Sequence, residues 1–233
     1  MKKTLDLMGC RVYMVSPGTG KYRERAVLCF QRLLDYGFRH IEMVRSIPDS
    51  YPINSLTKTV LWIMEREKNT SPPLPFLIVE DDIHPMHLST HIDIPKNADA
   101  IYLGLSHWIY PHPYDSIGSG LHIRPSHSSD FTETDDTISN PVVRIHGMLA
   151  GHAILFLHQP SENDRDYLSQ CILRIKDRLP HKTPHDLILA ALQHEYPVYA
   201  LKYPLFYQDK ALGGQEEVTR LEWNIQKKNF IKM

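Results

Sequence analysis

Cysteine is scarce: Cys10, Cys29 and Cys171 are the only three in 233 residues. They are odd in number and far apart, which argues against a disulfide framework. Cys29 and Cys171 fall in apolar helical patterns and read as buried free thiols. Unpaired thiols point to a reducing compartment, so a cytoplasmic location is the expectation. Long apolar runs are missing as well. No stretch reaches about 18 apolar residues, so no membrane span is expected. The start, MKKTLDLMGCRVYMV, is basic, but Asp6 and Arg11 interrupt any apolar core of a cleaved signal peptide. Surplus charge is absent too: 26 Lys and Arg stand against 27 Asp and Glu, a net of -1. No global basic surface results, and nucleic acid is not an expected partner.

Two motifs fail on inspection. Ser16 to Tyr22, SPGTGKY, suggests a P-loop, but Val15 replaces the first glycine and Tyr22 the final Ser or Thr. No H-x-H pair occurs among the 14 histidines. His107, His112, His122 and His127 lie in a turn-rich stretch without zinc-ligand spacing. Internal repeats and low-complexity tracts are also lacking.

The first half alternates regularly. Arg11 to Val15 reads as a strand, Glu24 to Tyr36 as a helix with Ala26, Val27, Phe30, Leu33 and Leu34 on one face, and His40 to Val44 as a strand. A helix capped at Asn54 or Ser55 runs to about Arg66, followed by strands over Phe76 to Val79 and Ala100 to Leu105. Short connections between continuously apolar strands predict an α/β, Rossmann-type domain with a mostly parallel central sheet flanked by helices. Residues 106–140 are rich in His, Pro, Ser and Asp and read as a long polar insert. Trp108, Tyr110 and Tyr114 in it read either as sugar-stacking rings or as packing for the insert. Apolar chain resumes at Pro141 to Phe156, helices are expected over Asp164 to Arg178 and from Thr183 or Pro184, and extended chain follows to Gln208. Residues 1–210 form the expected domain, with 211–233 as an arm or peripheral helix.

The most informative stretch is Phe76 to Pro85, FLIVEDDIHP. A buried strand there delivers Glu80, Asp81 and Asp82 to one point. Ligands of parallel α/β sheets bind beyond the carboxyl ends of the strands, and Ser16 and Arg45 reach the same edge. Three adjacent carboxylates repel one another unless a cation compensates, and a hard divalent ion, Mn²⁺ or Mg²⁺, is the simplest one. Strand alternation sends Glu80 and Asp82 to one side as the metal pair, with Asp81 opposite, toward backbone or a basic side chain. The competing reading is a solvated acidic turn that only ends a strand.

Two templates place acids after such a strand. In a receiver domain the strand would open the fold, leaving about 75 preceding residues unexplained; its phospho-acceptor would fall near Ser126 to Asp130, not at a strand end. The other template is the GT-A glycosyltransferase, which needs the preceding strands and helices. RVYMVSPGTGKYRERAVLCFQRLLDYGF resembles the opening of glycosyltransferase family 25, the lipopolysaccharide and collagen sugar transferase group. Its R-x-x-R-like helix start appears here with altered spacing at Arg23 and Arg25. SLTKTVLWIMER, FLIVEDDI, ADAIYLGL, GMLAGHAILF and TPHDLILAALQHEYPVYALKYPLFYQ resemble later family segments in the same order, so the resemblance spans roughly residues 10 to 208.

The resemblance implies a GT-A fold and metal-dependent, inverting transfer from a nucleotide sugar, a UDP-sugar first among them, to a glycan or other hydroxyl acceptor. Glu80 and Asp82 would hold the ion. Ser16, Pro17, Arg23, Lys58 and Asp81 would meet the nucleotide sugar, Arg23 and Lys58 otherwise being surface charges. Asp186, in a P-x-D-like segment, would be the base, or else merely charge its helix's first turn. His152 or His185 would complete the metal shell or contact phosphate, or else serve as structural hydrogen-bonders. A nucleotidyltransferase of related fold and a non-catalytic receiver-like domain are the alternatives.

Overall fold

The computed structural model describes residues 2–86, 90–105, 142–158 and 166–214. The insert aromatics, its four histidines and most of the 211–233 segment lie outside them. Among the described residues, eleven strands and four α-helices follow one another along the chain. The first half comprises β1 (Lys2–Asp6), β2 (Arg11–Ser16), α1 (Lys21–Tyr36), β3 (Ile41–Arg45), α2 (Pro52–Lys68), β4 (Phe76–Glu80), β5 (Ile83–Pro85), β6 (His91–Pro95) and β7 (Ala100–Tyr102). The second comprises β8 (Val142–Arg144), β9 (Ala153–Phe156), α3 (Tyr167–Arg178), α4 (His185–Leu192), β10 (Val198–Leu201) and β11 (Phe206–Gln208).

Seven strands form one sheet in the order β3-β2-β4-β9-β7-β10-β8. The fold is mixed α/β, as the alternation predicts, but the sheet is mixed rather than mostly parallel. β2 pairs in parallel with β3 and β4, and β7 with β10; β4–β9, β7–β9 and β8–β10 are antiparallel. The reason is where the chain re-enters. β8 and β9 both start at the edge where β10 and β4 end, with Val142 opposite Leu201 and Ala153 opposite Val79, so both run back through the sheet.

Alternate residues of the central strands feed two cores. Tyr13, Val15, Phe76, Ile78, Tyr102, Ile154 and Phe156 pack with residues of α2, α3 and α4. Val12, Met14, Leu77, Val79, Ile101, Leu103 and Leu155 pack on the other side with α1. α1 buries Ala26, Cys29 and Leu33, whereas Val27 and Leu34 are exposed. Its inward stripe is therefore rotated from the one read off the sequence. α2 begins at Pro52 rather than at an Asn54 or Ser55 cap. Proline fits the first helical turn because its missing N–H is not needed there, and the Ser55 hydroxyl donates instead to the Ile47 carbonyl at 2.6 Å.

Two small antiparallel ribbons were not legible as strands: β1–β6, and β5–β11. The second ties the acidic turn to the C-terminal part of the chain. All three cysteines are buried and unpaired; burial pushes the Cys29 thiol up to about 12. Among the described residues no helix is long and apolar enough to cross a membrane.

Candidate functional site

Glu80 is the last residue of β4, and Asp81 and Asp82 form the turn into β5. The turn is pinned from behind, where the Asp209 N–H donates to the Asp82 carbonyl at 2.7 Å. Asp81 is buried. It accepts the Ser16 hydroxyl at 2.5 Å and the Nη2 of Arg25. Ser16 in turn accepts the Gly18 N–H at 3.0 Å, so the end of β2 and the acidic turn are locked together. Asp82 is 5% exposed. Arg25 Nη1 stands 3.7 Å from its Oδ2, and its buried Oδ1 has no hydrogen-bond partner among the described residues.

Glu80 points toward the other core. Its N–H donates to the His152 carbonyl at 3.0 Å, placing β9's entry beside it. A Cβ on Gly151 would lie 2.9 Å from His185 Nε2 and 3.4 Å from Glu80 Oε1. The bare α-carbon of Gly151 thus lets imidazole and carboxylate converge over one spot. Nothing in its backbone demands glycine, since its φ lies outside the left-handed region. His185 opens α4, and its N–H donates to Thr57 Oγ1 of α2 at 3.2 Å. Asp186 is half-buried and accepts the Leu187 N–H at 2.9 Å, and its charge acts on Glu80.

The electrostatics follow from crowding. Burial, then Asp82, Asp186 and Asp81, push the Glu80 carboxyl up to about 8, with Arg25 opposing. Burial also raises Asp82 against the pull of Arg25. His185 is lowered by burial, with Asp186 opposing. His152 is pushed down to about 4 by burial; its ring lies against Gly104, and its Nε2 has no hydrogen-bond partner among the described residues.

Of the residues singled out in the sequence, Ser16, Glu80, Asp81, Asp82, His152, His185 and Asp186 gather at this edge. Two do not take the positions expected. Arg23 is exposed on α1, while Arg25 turns inward. The difference is helical phase: Arg25 shares a face with buried Cys29, four residues on. Lys58 pairs with Asp49 at 2.6 Å, which accounts for its charge locally. Pro17 is half-buried. Sequence reasoning also passed over Gly104 and Gly151, whose value lies in what approaches them from distant segments.

Among the described residues no three His, Cys, Asp or Glu side chains converge closely enough to hold an ion by themselves. The residues therefore do not fit an all-protein metal cage. They do fit an ion carried by one or two carboxylates and completed by a ligand's phosphates, the usual Mg²⁺ arrangement. The orphaned Asp82 Oδ1 and the excess of carboxylates over cations are the features that fit it. Compared with known protein families and with curated proteins, the chain matches none.

Proposed function

We propose that this chain is a metal-dependent glycosyltransferase of GT-A type. It moves a sugar from a nucleotide sugar to a hydroxyl acceptor with inversion. The observation that carries the reading is the acidic turn at a sheet's ligand edge. There Asp82 keeps a buried oxygen that has no partner among the described residues, and β9 and α4 bring His152, His185 and Asp186 from 70 or more residues away.

Glu80 and Asp82 would hold Mn²⁺ or Mg²⁺, which supplies Lewis-acid neutralisation of the leaving diphosphate. The chain's own groups do the rest. Ser16 and Arg25 fix Asp81 and so orient the turn. Asp186, half-buried at the mouth, accepts the proton of the acceptor hydroxyl as it attacks. His185, whose ring approaches Gly151 as the Glu80 carboxylate does, would contact phosphate or complete the ion's shell.

The test is a thermal-shift panel with Mn²⁺ and Mg²⁺ against UDP, GDP, CMP and common nucleotide sugars, on wild type and Asp82→Ala. A ligand that binds the folded state raises the midpoint. A metal-dependent shift with one nucleotide, lost in Asp82→Ala, is expected. No shift with any nucleotide in the presence of metal would refute the reading. Pyrophosphate release from a nucleoside triphosphate would instead identify a nucleotidyltransferase.

A further inference from the structure

Arg25 has no role in the reading above beyond steadying Asp81, yet its contacts reach further. Its Nη2 pairs with Asp81 and its Nη1 lies 3.7 Å from Asp82 Oδ2. The same Nη1 donates to the Leu212 carbonyl at 3.1 Å, and the Tyr22 ring covers the guanidinium at 4.8 Å. The side chain is 17% exposed, so this charge is largely removed from water. Asp82, Asp186 and Asp81 act on Glu80, Asp81 and Asp209 act on Asp82, and Arg25 is the cation that opposes them at both.

The two prongs are unequal. Asp81 is fully engaged, by Arg25 and by Ser16. Asp82 meets Arg25 at long range through one oxygen, and among the described residues its other oxygen is buried without a hydrogen-bond partner. A guanidinium can satisfy a carboxylate through two parallel hydrogen bonds; toward Asp82 this one does not.

We infer that Arg25 is the internal counter-ion of the acidic turn, and that a divalent cation entering at the free oxygen of Asp82 competes with it for the same carboxylate charge. Arg25 makes the cluster tolerable in the empty protein and weakens cation binding by its own positive charge. It is a positioning residue, not a ligand. The inference rests on the metal reading given above and adds an opposing term to it. A unit charge and a divalent ion about 6 Å apart repel enough, even at the dielectric of water, to change affinity about tenfold.

The experiment uses the full chain, with Mn²⁺ alone as the probe, and compares wild type, Arg25→Gln and Arg25→Lys. Calorimetric titration gives affinity, and thermal midpoints in chelator give the stability of the empty protein. Arg25→Gln keeps a donor for Asp81 but removes the charge. It should lower the metal-free midpoint and bind Mn²⁺ about tenfold more tightly. Arg25→Lys restores the charge and should bind within about threefold of wild type. A merely structural arginine would leave Arg25→Gln binding Mn²⁺ equally or more weakly, and that result overturns the inference while sparing the metal reading. Failure of wild type and both variants to bind Mn²⁺ overturns the inference; the reading of an ion completed by a ligand's phosphates then stands or falls on the nucleotide panel. If Arg25→Gln does not fold in chelator, Mn²⁺ should restore its folding transition; no restoration also counts against the inference.

Discussion

Replacing Gly104 by alanine gives a sharp test of how His152 is seated. A Cβ there would fall 2.0 Å from His152 Nε2, 2.4 Å from its Cδ2 and 2.9 Å from its Cε1. Three ring atoms lie inside contact distance, so the imidazole must leave its position or the strand end must move. His152 is 3% exposed, so its ring is enclosed by protein. Overpacking of this kind costs about 1–3 kcal/mol, occasionally more. For a chain of this size that is a fall of roughly 3–10 °C in the thermal midpoint. The backbone itself gives no reason for a penalty, because the φ of Gly104 is not left-handed. The cost should therefore be specific to the ring. His152→Ala alone loses buried contacts; adding Gly104→Ala to it should cost almost nothing further. The assay is urea denaturation of the four members of the cycle, with the slope checked for constancy. A Gly104→Ala loss under about 0.5 kcal/mol, or strict additivity in the double variant, would refute the reasoning.

Two other outcomes follow from buried charge. At the opposite end of β2, Glu67 is 1% exposed and accepts Arg11 Nη2 and the Tyr13 hydroxyl. Glu67→Ala leaves both donors without their acceptor. With Arg11 a quarter exposed, about 2–4 kcal/mol should be lost in denaturant unfolding; Mn²⁺ affinity should be unchanged, since this group lies away from the acidic turn. The second concerns pH. Glu80 has a folded-state pKa raised from 4.5 to about 8, so the folded protein binds more protons than the unfolded chain between those values. Its contribution is fully present below about 4.5 and is lost as pH rises toward 8. Glu80→Gln, which cannot ionise, should gain stability relative to wild type between pH 5 and pH 8 in metal-free buffer. An equal pH profile for the two proteins would contradict this.

The alternation of apolar strands and amphipathic helices was legible in the sequence because burial on both faces leaves long apolar runs in strands such as Phe76 to Val79. The strand's acidic end was legible too, since it is a local property, but the sides its carboxylates take were not. Alternation set Asp82 with Glu80 and turned Asp81 away toward backbone or a basic side chain; the strand instead stops at Glu80, and one arginine of α1 reaches both Asp81 and Asp82.

What only the tertiary structure decided is long-range. The direction of β9 depends on its starting beside the end of β4, with Ala153 opposite Val79, and no local propensity encodes that. β1 and β6 pair across more than 80 residues. The meeting of Glu80 with His185 over Gly151 needs β4, β9 and α4 together, and a glycine that serves a neighbour's ring leaves no periodic trace. The sequence alone determined which charges the fold must reconcile at one sheet edge. The packing of α1 against β5 determined that Arg25 is the residue that reconciles them, because only the folded chain places a guanidinium within reach of two buried carboxylates.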